Sequence, residues 1–184
     1  MSLVDIIKIL YFTSIIIWCL PPIRQFRGRF FDFFLVLACI DPIGTFYGLI
    51  TKSNIPLWVY SLFIYLLIPS ALTETTLKKF RYVFITVPII FVLTIPYQTK
   101  LSYQIFIILE NAILLLIFLQ VLIVNYASVK KINIFYLVLV FYITTNILKI
   151  FNLLVGFADA AALYMVTSII QIAFGLYFSI ARED

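Results

Sequence analysis

Long apolar stretches follow one another along almost the whole chain, and most of its lysine and arginine residues lie in the gaps between them. Hydrophobic residues make up 65% of the 184 residues and charged residues 11%, with a mean hydropathy of +1.17. A soluble domain of this size cannot hide so much apolar surface from water. The pattern predicts an all-α, polytopic membrane helix bundle, because the strands of a β-barrel would alternate polar and apolar residues.

Seven of these stretches come close to the roughly 20 residues that a helix needs to cross a bilayer. The chain, residues 1–184, is therefore expected to form a single domain of seven transmembrane helices. The predicted spans are Leu3–Leu20, Phe31–Ile50, Ile55–Leu72, Leu77–Pro96, Tyr103–Ala127, Ile134–Val155 and Ala160–Ile180. The fourth is the weakest, because it contains Pro88 and needs the basic residues at its start to lie at the membrane edge. The first is expected to be retained, since it lacks the leading basic region and cleavage site of a signal peptide.

The loop charges predict the orientation. With seven spans, one side of the membrane carries Arg24, Arg27, Arg29, Lys78, Lys79, Arg81, Lys130, Lys131 and Arg182. The other side carries only Lys52 and Lys100, so the positive-inside rule places the N-terminus outside and the C-terminus in the cytoplasm. Trp58, Tyr60 and Tyr97 are expected in an outer belt of interfacial aromatic residues. The Ile-, Phe- and Lys-rich composition suits an AT-rich bacterial genome, which predicts a bacterial inner membrane.

Helices 1–3 and 5–7 have similar spacing, which suggests a 3+1+3 internal repeat of parallel halves. The segment Phe33–Leu37 can be aligned with Phe135–Leu139, although both are low-complexity sequences. In helix count and layout the chain resembles the sugar transporters of the SWEET type. Their Pro-Gln loop motif is absent here, so the resemblance goes no further than the helix count.

The residue types that usually carry catalysis or hold cofactors are scarce. The chain has no histidine, which removes the usual haem ligand, the commonest metal ligand and the commonest general base. Cys19 and Cys39 are too few for a closed zinc or iron–sulfur site and are expected to be buried free thiols. No catalytic constellation, metal or cofactor is expected. Nor is nucleic-acid binding, because the positive-inside rule already explains the net charge of +5.

Polar residues at membrane depth are the main candidates for function. Asp41 lies near the middle of the second predicted span, and Pro42 frees a backbone carbonyl beside it. Gly44 shares a helix face with Asp41, and Thr45 continues the polar segment. Such a segment suits a cation, a proton or a ligand hydroxyl. The structural alternative is a kinked helix that packs through its glycines.

Three later helices carry further polar residues. Glu110 and Asn111 lie in the fifth span, and Gln171 lies on a polar face of the seventh that is typical of contacts between helices. Spacings of three and four residues place one stripe on the sixth span: Tyr142, Thr145, Asn146, Lys149 and Asn152. Lys149 and Glu110 fall at about the same depth. The cost of a lone charge in lipid predicts an ion pair between them, either structural or part of a gate or substrate site. The alternative is that Lys149 extends outward to the membrane surface and leaves Glu110 protonated.

Two functional classes fit these observations. The first is a binding, sensing or scaffold protein that acts through membrane-protein partners, as a subunit of a larger complex or as a homo-oligomer. The second is a small-solute or ion transporter with a midplane site at Asp41 and an outer Glu110–Lys149 pair. A transporter should contain a polar cavity bordered by Asp41. A scaffold should have a filled interior and an exposed patch of small or aromatic side chains facing the lipid.

Overall fold

The computed structural model describes residues 3–183, and the side chains from Asp5 onward. All the regular secondary structure in this part of the chain is helical, as expected. The helices are α1 (Leu3–Trp18), α2 (Leu20–Arg24), α3 (Phe31–Thr51), α4 (Leu57–Ala71), α5 (Glu74–Lys79), α6 (Arg81–Thr94), α7 (Lys100–Val129), α8 (Ile134–Val155) and α9 (Ala160–Ile180). A short 3₁₀ turn, Ile95–Tyr97, follows α6.

Five helical segments within residues 3–183 are long and apolar enough to cross a membrane, which supports a multi-pass membrane protein. They are Asp5–Arg24, Phe31–Thr51, Lys100–Val129, Ile134–Val155 and Ala160–Ile180. The third and fourth predicted spans instead form the shorter helices α4 and α6, of 15 and 14 residues. At 1.5 Å per residue, α4 is about 22 Å long, against a hydrocarbon core of about 30 Å. The predicted count of seven spans and the 3+1+3 repeat are therefore not confirmed.

Prolines lie at both ends of α4 and just after α6, whereas the break before α6 falls at Phe80. Pro56 precedes α4, and Pro69 lies in its last turn. Pro88 lies inside α6, and Pro96 falls in the 3₁₀ turn that follows it. A proline lacks the backbone N–H that would continue the helical hydrogen bonds, and it disfavours helical geometry in the residue before it.

Six helices form a closed ring in which each one packs against the next. Around the ring, α1 packs on α3, α3 on α4, α4 on α7, α7 on α8, α8 on α9 and α9 on α1. Helix α6 lies outside the ring beside α4 and α7, and no residue of α6, all of which the structure describes, is buried. The ring therefore encloses the interior of the bundle.

Aromatic side chains fill the interior at the end of the ring that carries the basic loops, hereafter the basic end. Their rings lie 4.9–6.4 Å apart between centroids, in tilted or edge-to-face pairs that attract each other beyond simple burial. This aromatic cluster consists of Trp18, Phe30, Phe33, Phe34, Phe118, Phe135, Tyr136 and Phe178, all buried. It closes the basic end of the bundle.

The C-terminal residues seal the same end. Gln25, which is 1% exposed, donates from Nε2 to the carbonyl of Ala181 at 2.8 Å. Arg29 pairs with Glu183 at 3.2 Å and donates to the hydroxyl of Tyr136 at 2.9 Å. Tyr136 also donates to Glu183. These contacts join the α2–α3 connection, α8 and the residues after α9.

Helices α9 and α1 approach each other closely at Gly175 of α9. A Cβ added there would lie 2.7 Å from Cγ2 of Ile17 on α1, so only glycine allows this contact. Gly44 of α3 has only Cγ2 of Ile55 nearby, at 3.8 Å. The structural alternative, in which α3 packs tightly through its glycines, is therefore not what the structure shows.

Both cysteines are free, as expected, but their predicted burial is wrong. Cys19 is exposed at the junction of α1 and α2, and Cys39 is half-buried on α3. Both border an apolar hollow on the outer surface of the ring, beside Pro22 and Pro42. Apolar sequence around a residue therefore did not predict burial, because in a membrane bundle apolar side chains also face lipid.

Candidate functional site

A cavity of about 280 Å³ lies inside the helix ring. Five of the six ring helices contribute to it, namely α3, α4, α7, α8 and α9, together with Ile55 of the α3–α4 loop. Leucine and isoleucine side chains form its apolar wall. Its polar lining consists of Asp41, Tyr60, Gln104, Tyr142, Asn146, Lys149 and Gln171.

The cavity occupies the half of the ring that faces away from the basic end. On α4, which runs toward the basic end, the lining residues fall in the first half of the helix, from Leu57 to Ile64. On α8, which runs away from the basic end, they extend to Leu153, near its last turn. The cavity thus runs from the middle of the bundle toward the end opposite the aromatic cluster.

The two charged residues in the lining are Asp41 on α3 and Lys149 on α8, both half-buried. They interact electrostatically but do not form an ion pair within 4.0 Å. Nζ of Lys149 instead lies 4.5 Å from the ring centre of Tyr164 on α9, a cation–π contact. The cavity therefore presents one negative and one positive group that are held apart.

Glu110 lies outside this cavity, and the predicted Glu110–Lys149 pair is not formed. Ion pairs in the described part of the chain include Arg29–Glu183 and Lys78–Glu74, and neither Glu110 nor Lys149 has an ion-pair partner within 4.0 Å there. Both carboxylate oxygens of Glu110 accept from the hydroxyl of Ser61 at 3.0 Å. A matched depth along the membrane does not bring two residues together unless their helix faces also meet.

Glu110 borders a second cavity, of about 580 Å³, between α4, α6 and α7. Its other polar lining residues are Tyr65 on α4 and Thr94, Gln98 and Ser102, which lie near the N-terminal end of α7. Ser61, which sequence analysis overlooked, is fully buried at 0% exposure where α4 meets α7. The contact could have been predicted from a carboxylate, Glu110, inside one predicted span and a hydroxyl, Ser61, inside another.

Four of the predicted residues on α8 and α9 meet at the central cavity: Tyr142, Asn146, Lys149 and Gln171. Nε2 of Gln171 donates to Oδ1 of Asn146 at 2.9 Å, which links α9 to α8 beside Lys149. Tyr142 lies one turn further toward the middle of the bundle, buried against Trp18, with the ring centres 4.9 Å apart. Four of the stripe residues on α8 were singled out as site candidates, and three of these line the cavity.

The other predicted residues lie off the cavity. Thr145 donates to the carbonyl of Phe141 at 2.9 Å within its own helix. Asn111 is fully buried, and its Nδ2 donates to the carbonyl of Ile107 at 2.8 Å. The Oδ1 of Asn111 is buried without a hydrogen-bond partner. Asn111 is thus a core residue of the α7 interface.

Two further predicted residues, Gly44 and Thr45, support the wall of the cavity from behind. Oγ1 of Thr45 donates to the carbonyl of Asp41 at 2.8 Å and is hydrogen-bonded to the hydroxyl of Tyr11 at 2.9 Å. This contact ties α1 to α3 at the level of Asp41. Gly44 is half-buried and faces the α3–α4 loop at Ile55.

Two polar residues that line the central cavity, Tyr60 and Gln104, were not predicted from the sequence. Tyr60 was expected in the outer aromatic belt, but it lines the cavity on the same face of α4 as Leu57 and Ile64. Gln104 lies three residues before Ile107, on the inward face of α7. The spacing of three and four residues on α4 and α7 was the signal that could have found both.

The chemistry open to this cavity is binding by charge and hydrogen bonds. Asp41 and Lys149 supply one group of each sign, and the amides and tyrosines supply both donors and acceptors. No group of three or more histidine, cysteine or acidic residues that could hold a metal occurs between residues 5 and 183.

Comparison with known proteins gives no match to any family model, curated protein or solved structure.

Proposed function

We propose that this protein is a carrier for a small polar solute, which binds in the central cavity. The observation that carries this proposal is a cavity inside the helix ring whose lining includes both Asp41 and Lys149. Charged side chains at membrane depth are costly, and they characteristically mark substrate or ion pathways. A bundle whose only task was structural would gain more by filling this space with apolar side chains.

The two halves of the ring interior differ in the way a carrier requires. The aromatic cluster and the C-terminal contacts fill the basic end, whereas the other half is hollow and polar. Carriers bind near the middle of the membrane and open to one side at a time. The described conformation corresponds to a carrier that is sealed at its basic end.

The proposal includes seven crossings, with the basic end in the cytoplasm. Helices α4 and α6 would complete the count, α6 with the help of the 3₁₀ turn that carries the apolar segment to Tyr97. Local thinning of the bilayer accommodates short spans at a modest cost. The C-terminus is then cytoplasmic, and a bacterial inner membrane remains the expected location.

Cysteine labelling tests whether the cavity is hydrated. In a background in which Cys19 and Cys39 are serine, Asn146→Cys should react with a small, membrane-impermeant thiol reagent added on the side opposite the basic loops. Leu139→Cys is the matched control, because Leu139 lies on the same helix and is 0% exposed. An unreactive Asn146→Cys would contradict the carrier proposal.

A second function, association with a membrane-protein partner, is favoured by α6. This helix has no buried residue along its whole described length and lies outside the ring. A partner helix or a second copy packed against α4, α6 and α7 would bury that face. Light scattering of the purified protein in mild detergent gives its mass: a lone monomer argues against a homo-oligomer at this face.

A further inference from the structure

We infer that the solute is a zwitterion, a small molecule that carries both an ammonium group and a carboxylate. This inference rests on the proposed carrier function and names its substrate class. The charged groups that line the cavity are one carboxylate, Asp41, and one ammonium, Lys149. A cation alone would leave Lys149 uncompensated, and an anion alone would leave Asp41 uncompensated.

The separation of the two charges is the main evidence. Opposite charges in a low-dielectric interior attract strongly and are expected to close into direct contact. Here Asp41 and Lys149 share one cavity and yet remain more than 4.0 Å apart. A ligand with complementary charges at its two ends would bridge them, with its ammonium at Asp41 and its carboxylate at Lys149.

Neighbouring residues hold each charge on its own wall. The ring of Tyr164 lies under Nζ of Lys149 at 4.5 Å and draws it toward α9. On the opposite wall, Thr45 and Tyr11 fix the backbone of α3 at Asp41. The gap between the charges is therefore built into the packing of the helices.

The volume limits the size of the solute. A cavity of about 280 Å³ corresponds to roughly nine water molecules at about 30 Å³ each, which suits a solute of fewer than about ten non-hydrogen atoms. Ile64, Ile107 and Ile150 offer an apolar wall for a short aliphatic group. Asn146 and Gln171 can donate to a carboxylate beside Lys149. Free neutral amino acids and methylated betaines share this chemistry.

Thermal unfolding of the purified full-length chain in detergent tests the inference. The probes are glycine, L-alanine, L-proline, L-leucine, γ-aminobutyrate and glycine betaine, each titrated separately. At least one should raise the unfolding temperature in a saturable way, because a ligand that binds only the folded state stabilises it. A shift with amino acids alone, or with glycine betaine alone, supports the inference and identifies the source.

Matched analogues then remove one charge at a time. If L-leucine binds, L-leucinamide keeps the ammonium and 2-hydroxyisocaproate keeps the carboxylate at nearly the same size. Each should bind at least tenfold more weakly than L-leucine. Equal binding of either analogue, or no shift with any zwitterion, would overturn the inference.

Variants locate the binding in the cavity. Asp41→Asn and Lys149→Gln should each weaken binding of the zwitterion at least tenfold. The double variant, Asp41→Asn with Lys149→Gln, should still unfold cooperatively, because it leaves neither charged side chain in the cavity without its counterpart. Glu110→Gln is the control outside the cavity and should bind as the unaltered protein does.

The two proposals fail in different ways. If Asn146→Cys is labelled but only an uncharged or singly charged solute binds, the zwitterion inference is wrong and the carrier proposal stands. If Asn146→Cys is unreactive and no probe binds, both are wrong.

Discussion

Both side-chain oxygens of Glu110, which lies inside a membrane helix, accept a hydrogen bond from the same hydroxyl group. The donor is Ser61, which is completely buried, at 3.0 Å from each oxygen. A buried acceptor that loses its donor keeps the cost of its desolvation, about 1–3 kcal/mol. The stability of the α4–α7 contact therefore depends on a side chain of two heavy atoms.

We expect Ser61→Ala to lower the free energy of unfolding by about 1–3 kcal/mol, because it leaves the Glu110 oxygens without this donor. Denaturant titration of the purified protein measures the effect. The control is Ser70→Ala on the same helix, since that hydroxyl bonds only to the carbonyl of Leu67 within its own helix. Equal losses in the two variants would show that the bond to Glu110 contributes nothing.

Part of the central site could be predicted at the level of single residues. The spacing of Tyr142, Asn146 and Lys149 places them on one face of a helix, and the structure has all three at the cavity. The partner of Lys149 could not be predicted in this way. Depth along the membrane follows from residue number, but the direction in which Glu110 points depends on how α7 is rotated against α4 and α8.

At the scale of the helices, the contact between α1 and α9 leaves no room for a side chain at Gly175. Gly175 lies against Ile17, and Nε1 of Trp18 would be only 3.4 Å from an added Cβ. Gly44 on α3 has open space around it apart from Ile55. The two glycines therefore differ in what an added methyl group would meet.

We expect Gly175→Ala to destabilise the protein by about 1–3 kcal/mol, because the helices must move apart or Ile17 must shift. Gly44→Ala should have the opposite sign and stabilise by up to about 1 kcal/mol, since alanine favours a helix over glycine. Unfolding temperatures of the two variants in the same detergent provide the comparison. Shifts in the same direction would contradict this account of the α1–α9 contact.

The bounds of several helices could be predicted from the sequence. Helices α8 and α9 begin and end at the predicted residues, because turn residues and charges flank their apolar stretches on both sides. The lengths of α4 and α6 were overestimated, since hydropathy ignores the prolines that end them. The inward face of a helix could be predicted only where polar residues mark it, as on α8, because most of these helices are apolar all round.

For the molecule as a whole, the number of crossings depends on α4 and α6. If both cross, the segment between them, α5, lies on the same side as the α7–α8 loop. If neither crosses, α5 lies on the side of the α3–α4 loop. Five and seven crossings therefore differ in the location of one exposed, basic segment.

We expect Lys78→Cys to be labelled from the same side as Lys131→Cys and from the side opposite Asn54→Cys. All three positions are exposed, and the background again has serine at Cys19 and Cys39. Membrane-impermeant labelling of intact cells and of inverted vesicles gives the result. Labelling of Lys78→Cys together with Asn54→Cys would leave α4 and α6 as helices that do not cross.

The seal at the basic end should also control access to the cavity. We expect Gln25→Leu, which removes the bond to the carbonyl of Ala181, to increase labelling of Asn146→Cys from the basic side severalfold. Arg182→Gln, an exposed neighbour, is the control and should leave the rate unchanged. Unchanged labelling in Gln25→Leu would mean that the aromatic cluster alone seals this end.

The balance of charge in the central cavity has a consequence for energetics. Asp41 and Lys149 sum to zero, and a zwitterion adds no net charge, so the loaded and empty carriers carry the same charge through the membrane. A net unit charge would couple the cycle to the membrane potential by about 2.3 kcal/mol per 100 mV. Uptake into proteoliposomes should therefore be electroneutral, with the same rate whether or not a potassium diffusion potential is imposed. A rate that follows the imposed potential would show that an ion travels with the solute.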